Sequence, residues 1–264
     1  MSSDPAAPSI GADTIAAAGN PRPSRRLLGI LGLVLAAAVY VAGSPGLDSP
    51  WIQGDEFVFI VTNPDVNPAA DPEHEPAPLG SRLAAIVTKV HDDLYQPIPI
   101  LSYAVEWDLT GGEPLSFRRT DLLLHVLNVL LLWWVLATLL APDGRAGSAP
   151  TSVVAWALAL LWALHPMLVT TYAADMGRTH LLSATFSLLA LRLYVYTLTP
   201  GKSACFIGVV AALLAAMLCK PVIGWVLLAF VLEAAHRATV RTPLPRRERV
   251  GRGFCGCENL VSHV

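Results

Sequence analysis

Residues 121–141 read DLLLHVLNVLLLWWVLATLLA: Asp121 opens the run, His125 and Asn128 interrupt it, and the rest is Leu, Val, Ala, Trp and Thr. At ~1.5 Å of rise per residue such a run crosses about one bilayer core. The pattern continues downstream. From Thr120 to Ala235 almost every residue is Leu, Ala, Val or Trp, and the few remaining charges, Arg178 and Lys220 among them, sit in short polar notches. An ionisable side chain in or beside lipid is costly, so its retention points to function.

Further spans follow from the same reading. Val153–Ala174 is broken near His165-Pro166, and His180–Leu198 is followed by Thr199-Pro200-Gly201-Lys202. Ala204–Leu218 and Val222–Ala234 are separated only by Cys219-Lys220-Pro221. Upstream, Leu27–Ala42 is a slightly short apolar run flanked by Arg25-Arg26. That flank also suits a cleaved secretory signal, and residues 24–28 weakly echo a twin-arginine pattern, but an uncleaved helix is preferred because more spans follow. Short turns make the helices antiparallel neighbours. The expected fold is an all-α polytopic membrane protein of about six transmembrane helices, with a long extracytoplasmic loop after the first.

Composition agrees. The chain has 264 residues, 54% hydrophobic and 14% charged, with mean hydropathy +0.53. Soluble domains carry about 25% charged residues, so this one is short of charge for a water-facing surface. The net charge of −2 averages over two different regions. Acids crowd the loop (Asp48, Asp55, Glu56, Asp65, Asp71, Glu73, Glu75, Asp92, Asp93), and arginines crowd the two ends. No basic patch is interleaved with aromatics, which argues against nucleic acid as a partner. Cys205 and Cys219 fall in apolar helices, and Cys255-Gly-Cys257 has too few partners for a zinc site, so neither a disulfide framework nor a metal centre is indicated.

The organisation expected is a disordered cytoplasmic tail over 1–26, a first helix over 27–43, an extracytoplasmic loop over 44–119, a helix bundle over 120–236 and a basic, disordered tail over 237–264. Basic ends flanking an even number of spans put both termini in the cytoplasm. Within the loop, Leu79–Val90 and Ile100–Leu109 have helical apolar spacing and are expected to lie along the membrane surface. Trp51, Tyr95, Tyr103 and Trp107 suit an aromatic belt there. His125 and Asn128, at i and i+3 on one helix face, suit interhelical hydrogen bonds. The loop, the Arg178 notch and the Lys220 notch all face outward in this arrangement.

The notches also have an order. Gly54-Asp55-Glu56-Phe57 with Asn63-Pro64 is followed by Tyr95-Gln96-Pro97, Leu101-Ser102-Tyr103-Ala104, Leu124–Asn128, Leu164-His165-Pro166, Gly177-Arg178 with Leu181-Leu182-Ser183, and Lys220-Pro221. This series resembles membrane glycosyltransferases of the GT-C type. It is most similar to the transmembrane and tetratricopeptide-repeat-containing O-mannosyltransferase-like proteins and their bacterial relatives.

The resemblance implies a multi-helix GT-C fold, a polyprenyl-phosphate-linked sugar as donor and inverting transfer to a hydroxyl, commonly on a secreted protein. Asp55 matches the catalytic acidic position, with Glu56 beside it. Arg178 and Lys220, with His165, are the candidates for the donor phosphate. The chemistry fits independently: cations at helix ends hold a phosphate at the bilayer surface, and a facing carboxylate takes the acceptor proton. The sequence names no cofactor and leaves a divalent metal requirement open.

Three departures stand out. The pattern carries Arg where this chain has Gln96, and an acid near the position of His180. Relatives continue through further spans, and many end in tetratricopeptide repeats, a period not found here. The expectation is therefore the N-terminal part of such an enzyme, truncated or incomplete. The alternative is a non-catalytic polytopic membrane protein that binds lipid or a partner. A small-solute transporter fits less well, because its broken helices meet at mid-membrane, whereas these notches collect at one face.

Overall fold

The computed structural model describes residues 24–51, 54–91, 93–140, 149–168, 170–173, 177–197 and 205–221, all within one compact unit that ends at Pro221. Both tails and the run Val222–Ala234 lie outside the described residues. The described residues are helical and include no strand; His91 and Leu94 form an isolated bridge.

Helix α1 (Arg25–Gly43) starts where the Ser24 hydroxyl accepts the Leu27 amide. Helices α2 (Leu79–Thr88) and α3 (Pro97–Thr110) follow, then α4 (Pro114–Leu139), α5 (Ala149–Ala163), a short α6 (Thr170–Ala173), α7 (Gly177–Thr197) and α8 (Phe206–Cys219). The stretch containing α1 and the whole of α4 are long and apolar enough to cross a membrane. Helices α5 and α8, with 15 and 14 residues, are apolar but fall short of the ~20 residues of a full crossing.

Pairwise contacts fix helix directions. Gly32 meets Trp133 and Gly43 meets Leu122, so α1 runs antiparallel to α4. His125 Nε2 lies 3.2 Å from the Ala163 carbonyl and Trp133 Nε1 donates to the Ser152 carbonyl, so α5 is antiparallel to α4 as well. Arg178 bonds Asp121 and Asn128 Nδ2 donates to the Leu181 carbonyl, which makes α7 parallel to α4. Gly208 meets Leu193 and Lys220 meets His180, so α8 returns antiparallel to α7. The long helices thus alternate up and down, as short connections require. One end of the bundle carries Arg25 and Arg26; the other carries Asp121, Arg178 and Lys220.

His125 and Asn128 serve as interhelical anchors, as expected. Thr185 Oγ1 also donates to Asn128 Oδ1 at 2.7 Å. Leu35, Val39, Val126, Val129, Ala159 and Ala163 form the apolar seam of α1, α4 and α5, and Trp156 Nε1 closes it on the Leu31 carbonyl. The expected span Val153–Ala174 divides. Helix α5 stops at Ala163, and a 3-10 turn (Pro166–Leu168) and α6 carry the chain onward, because Pro166 cannot continue an α-helical ladder.

The loop holds a core of its own. Phe59, Ile60, Val66, Ile86, Ile100, Tyr103, Ala104 and Phe117 are buried together, with Trp51 and Trp107 packed against them. Helices α2 and α3 therefore direct apolar surface at each other and at α4. Tyr103 departs from the aromatic-belt expectation: it is 1% exposed and stacks on Phe117 at 6.0 Å. Helix α4 also starts two turns before the expected Asp121. Pro114 opens it at a first-turn position, and Arg118 and Asp121 remain in the helix because both are paired.

Candidate functional site

Two backbone constraints set the site. A residue before proline is pushed out of the α region, so Gln96, ahead of Pro97, is the cap from which α3 starts, and Lys220, ahead of Pro221, is extended where α8 stops (φ −152°, ψ 113°). Helices α3 and α8 are neighbours, which brings these two pre-proline side chains to one place. The third contributor is Gly54, whose φ of +129° is open to glycine and strained for other residues. It turns the chain into a π-helical turn (Phe57–Val61) and splits the acidic pair that follows: Asp55 is exposed and Glu56 is buried.

Asp55, Gln96, Thr179, His180 and Lys220 line one pocket of about 200 Å³, with Phe59, Leu94 and Pro221. That is smaller than the ~300–1,000 Å³ of pockets for drug-sized ligands, and suits a single small polar ring or group. Lys220 Nζ lies 2.6 Å from His180 Nε2, so the ammonium donates to the imidazole. Burial pushes the Lys220 ammonium below its ordinary pKa, and the charge of Asp55 acts in the opposite direction. Gln96 is 5% exposed, and its Oε1 is buried without a hydrogen-bond partner. A buried acceptor left unpaired costs ~1–3 kcal/mol, so Gln96 is an acceptor held in reserve at the pocket wall.

Of the residues singled out from sequence, the fold therefore brings Asp55 and Lys220 together. Glu56 points away from them into the core, where Arg118 grips it with both terminal nitrogens, Nη2 donating to Oε2 at 2.8 Å. Arg118 also donates to the Pro50 carbonyl and lies over Trp51. Arg178 is 1% exposed and bolts three helices together. Its Nε donates to Asp121 of α4 at 2.6 Å, its Nη1 meets Glu106 of α3 at 2.5 Å, and its face covers the Tyr103 ring at 4.4 Å. In this arrangement no face of Arg178 is open to a phosphate. His165 is exposed after α5, lies off the pocket and accepts the Met167 amide.

The ion-pair partners Glu106, Arg118 and Asp121 were not singled out from sequence. Their signal is visible in retrospect: charges retained within apolar helices, Glu106 late in α3 and Arg118 and Asp121 early in α4, need opposite charges from elsewhere. Thr179, following Arg178, and His180 reach the pocket because α7 starts close under α6. A Cβ on Gly177 would fall 1.6 Å from the Thr171 carbonyl oxygen, so the first turn of α7 admits only glycine there. Among the described residues no group of His, Cys, Asp and Glu side chains is arranged to hold a metal ion.

No family model matches the chain, and no solved structure matches it. Curated proteins do. The mouse (Mus musculus) protein O-mannosyl-transferase TMTC1 is 30% identical over 197 residues, covering 69% of this chain and 19% of that protein. Tmtc3 of Drosophila melanogaster, also a protein O-mannosyl-transferase, is 33% identical over 147 residues, 48% of this chain and 16% of its own length. Human (Homo sapiens) TMTC4 is 30% identical over 169 residues, 60% of this chain and 22% of that protein. The chain spans about a fifth of the length of these relatives. Over half or more of its own length, this helical chain resembles the protein O-mannosyl-transferases of the TMTC group.

Proposed function

We propose that the chain carries the donor-facing part of a GT-C type membrane glycosyltransferase, which transfers a sugar, mannose by analogy with its relatives, from a polyprenyl phosphate to a hydroxyl of a secreted protein. The observation that carries this reading is the meeting of Asp55 and Lys220 on one small polar pocket at the end of an apolar bundle. The alternating helices and the arginines at the opposite end support a multi-span arrangement with α1 starting in the cytoplasm and the pocket facing outward.

The reaction follows from the two charges. The Asp55 carboxylate takes the proton of the acceptor hydroxyl as its oxygen bonds the anomeric carbon. The bond from that carbon to the phosphate oxygen breaks on the opposite face, and the leaving polyprenyl phosphate keeps the electron pair. Lys220, supported by His180, holds the charge that develops on the phosphate. Arg178 and Glu56 act through position: they lock the helices and the Gly54 turn that present Lys220 and Asp55. A polyprenyl chain lies in the membrane while its phosphate reaches the pocket at the surface.

The test uses the full chain in lipid nanodiscs with polyprenyl-phosphate mannose and a Ser/Thr peptide. Asp55→Asn keeps the side-chain shape but cannot accept a proton. Transfer should fall by about 10²–10⁴-fold, with donor binding retained. Lys220→Gln should weaken donor binding itself. Undiminished transfer by Asp55→Asn, or donor binding indifferent to Lys220, overturns the assignment.

A further inference from the structure

The end of the bundle away from the pocket carries a cation that no carboxylate among the described residues neutralises. Arg192 lies in the last two turns of α7, with its guanidinium carbon over the Trp134 ring of α4, 4.1 Å from the ring centroid. Its Nε is buried and has no hydrogen-bond partner, and no carboxylate among the described residues pairs with it. The surroundings face outward: Leu189 and Tyr196, three residues before and four after on the same helix face, are 36% and 40% exposed, and Trp134 is 50% exposed. Arg25 and Arg26 stand at the same end of the bundle, since α1 is antiparallel to α4.

We propose that Arg192, flanked by Trp134 and Tyr196, binds the phosphate of an anionic phospholipid in the leaflet opposite the pocket. This rests on the membrane reading of the bundle but not on the sugar-transfer reading. A half-buried arginine on an outward stripe needs an anion or water, because no carboxylate among the described residues neutralises it. Its planar fork matches a phosphate in two-point geometry. Tryptophan and tyrosine flank it at the depth where amphipathic rings settle. A negative leaflet surface supplies the ligand in excess and is drawn to the Arg25–Arg26 end of the bundle.

The full chain, purified and released from nanodiscs, is examined by native mass spectrometry for retained phosphatidylglycerol and phosphatidylcholine. Wild type should keep phosphatidylglycerol in preference, and Arg192→Gln should lower that retention about fivefold. Arg119→Gln, an exposed arginine at the pocket end, should leave it unchanged. Millimolar inorganic phosphate should not displace the lipid; displacement would make free phosphate the ligand and overturn the lipid assignment. A second reading needs no variant: wild type should melt several degrees higher in phosphatidylglycerol than in phosphatidylcholine. Equal retention by wild type and Arg192→Gln, or equal melting in the two lipids, overturns the proposal.

Discussion

Glu56 and Arg118, sixty-two residues apart in sequence, form a buried two-point ion pair, 2% exposed on each side. The pair ties the turn after Gly54 to the start of α4. Asp55 is thereby held at the pocket by its neighbour's commitment elsewhere. Two adjacent acids thus face two different surroundings, Asp55 the pocket and Glu56 the core.

Removing one partner leaves the other charge buried and alone. Glu56→Gln should therefore destabilise the protein by about 3–5 kcal/mol, far more than the loss of an exposed pair. Arg118→Met with Glu56→Leu should recover much of that stability, because apolar packing replaces the pair without an orphan charge. Thermal unfolding of wild type and the two variants in one detergent decides it. A Glu56→Gln melting point equal to wild type would mean the pair carries no structural load.

The helices were legible in the sequence because apolar runs bounded by Pro, Gly and short polar turns leave little else to form. Helix α7 was expected from His180 and starts at Gly177; α8 was expected from Ala204 and starts at Phe206. What the sequence hid was pairing at a distance. Arg178 read as a free cation because its partners, Glu106 and Asp121, lie on other helices. Glu56 read as a second candidate base because nothing local marks Arg118 as its partner. Asp55 and Lys220 could be read together only through the order of motifs, since 165 residues of chain separate them and no local spacing links them. Gln96 was noted as a departure from a pattern, and its position on the pocket emerged only from the packing of α3 beside α8.

Gln96 separates stability from binding. Its buried Oε1 lacks a partner, so Gln96→Leu removes an uncompensated acceptor and should leave the empty protein as stable as wild type, or more stable by about 1 kcal/mol. If the amide turns to meet a hydroxyl of the bound sugar, the same change should weaken binding of polyprenyl-phosphate mannose about tenfold and leave polyprenyl phosphate nearly unaffected. Melting curves together with binding of both lipids check it. A variant that loses stability and keeps its preference for the sugar-bearing lipid would make Gln96 a packing residue.

Gly177 sets the distance between α6 and α7. Alanine there would place a methyl group 1.6 Å from a backbone oxygen, and neither backbone can yield without moving a helix end. Gly177→Ala should cost at least the ~1–3 kcal/mol usual for overpacking, and should weaken donor binding because Thr179 and His180 move with the first turn of α7. Unfolding and donor-binding measurements on the same preparation check both effects. Unchanged values in both would show that the first turn of α7 yields freely.

Lys220 predicts how donor binding responds to pH. The groups facing it are His180, which accepts from its ammonium, and Asp55, whose charge favours the protonated form. Burial acts the other way and is the larger influence, so the ammonium of the folded protein loses its proton below the ordinary lysine value of 10.5. A phosphate is held by the charged form. Binding should therefore be present below the shifted pKa and fall as pH rises through it, earlier than an ordinary lysine would allow. Asp55→Asn removes the influence that raises the pKa, so the fall should begin at a lower pH than in wild type. Lys220→Arg, which stays protonated throughout, should abolish the alkaline fall while keeping some affinity. Donor binding by wild type and both variants from neutral to alkaline pH provides the measurement. An alkaline limb that moves to higher pH in Asp55→Asn, or persists in Lys220→Arg, would assign the titrating cation to another residue.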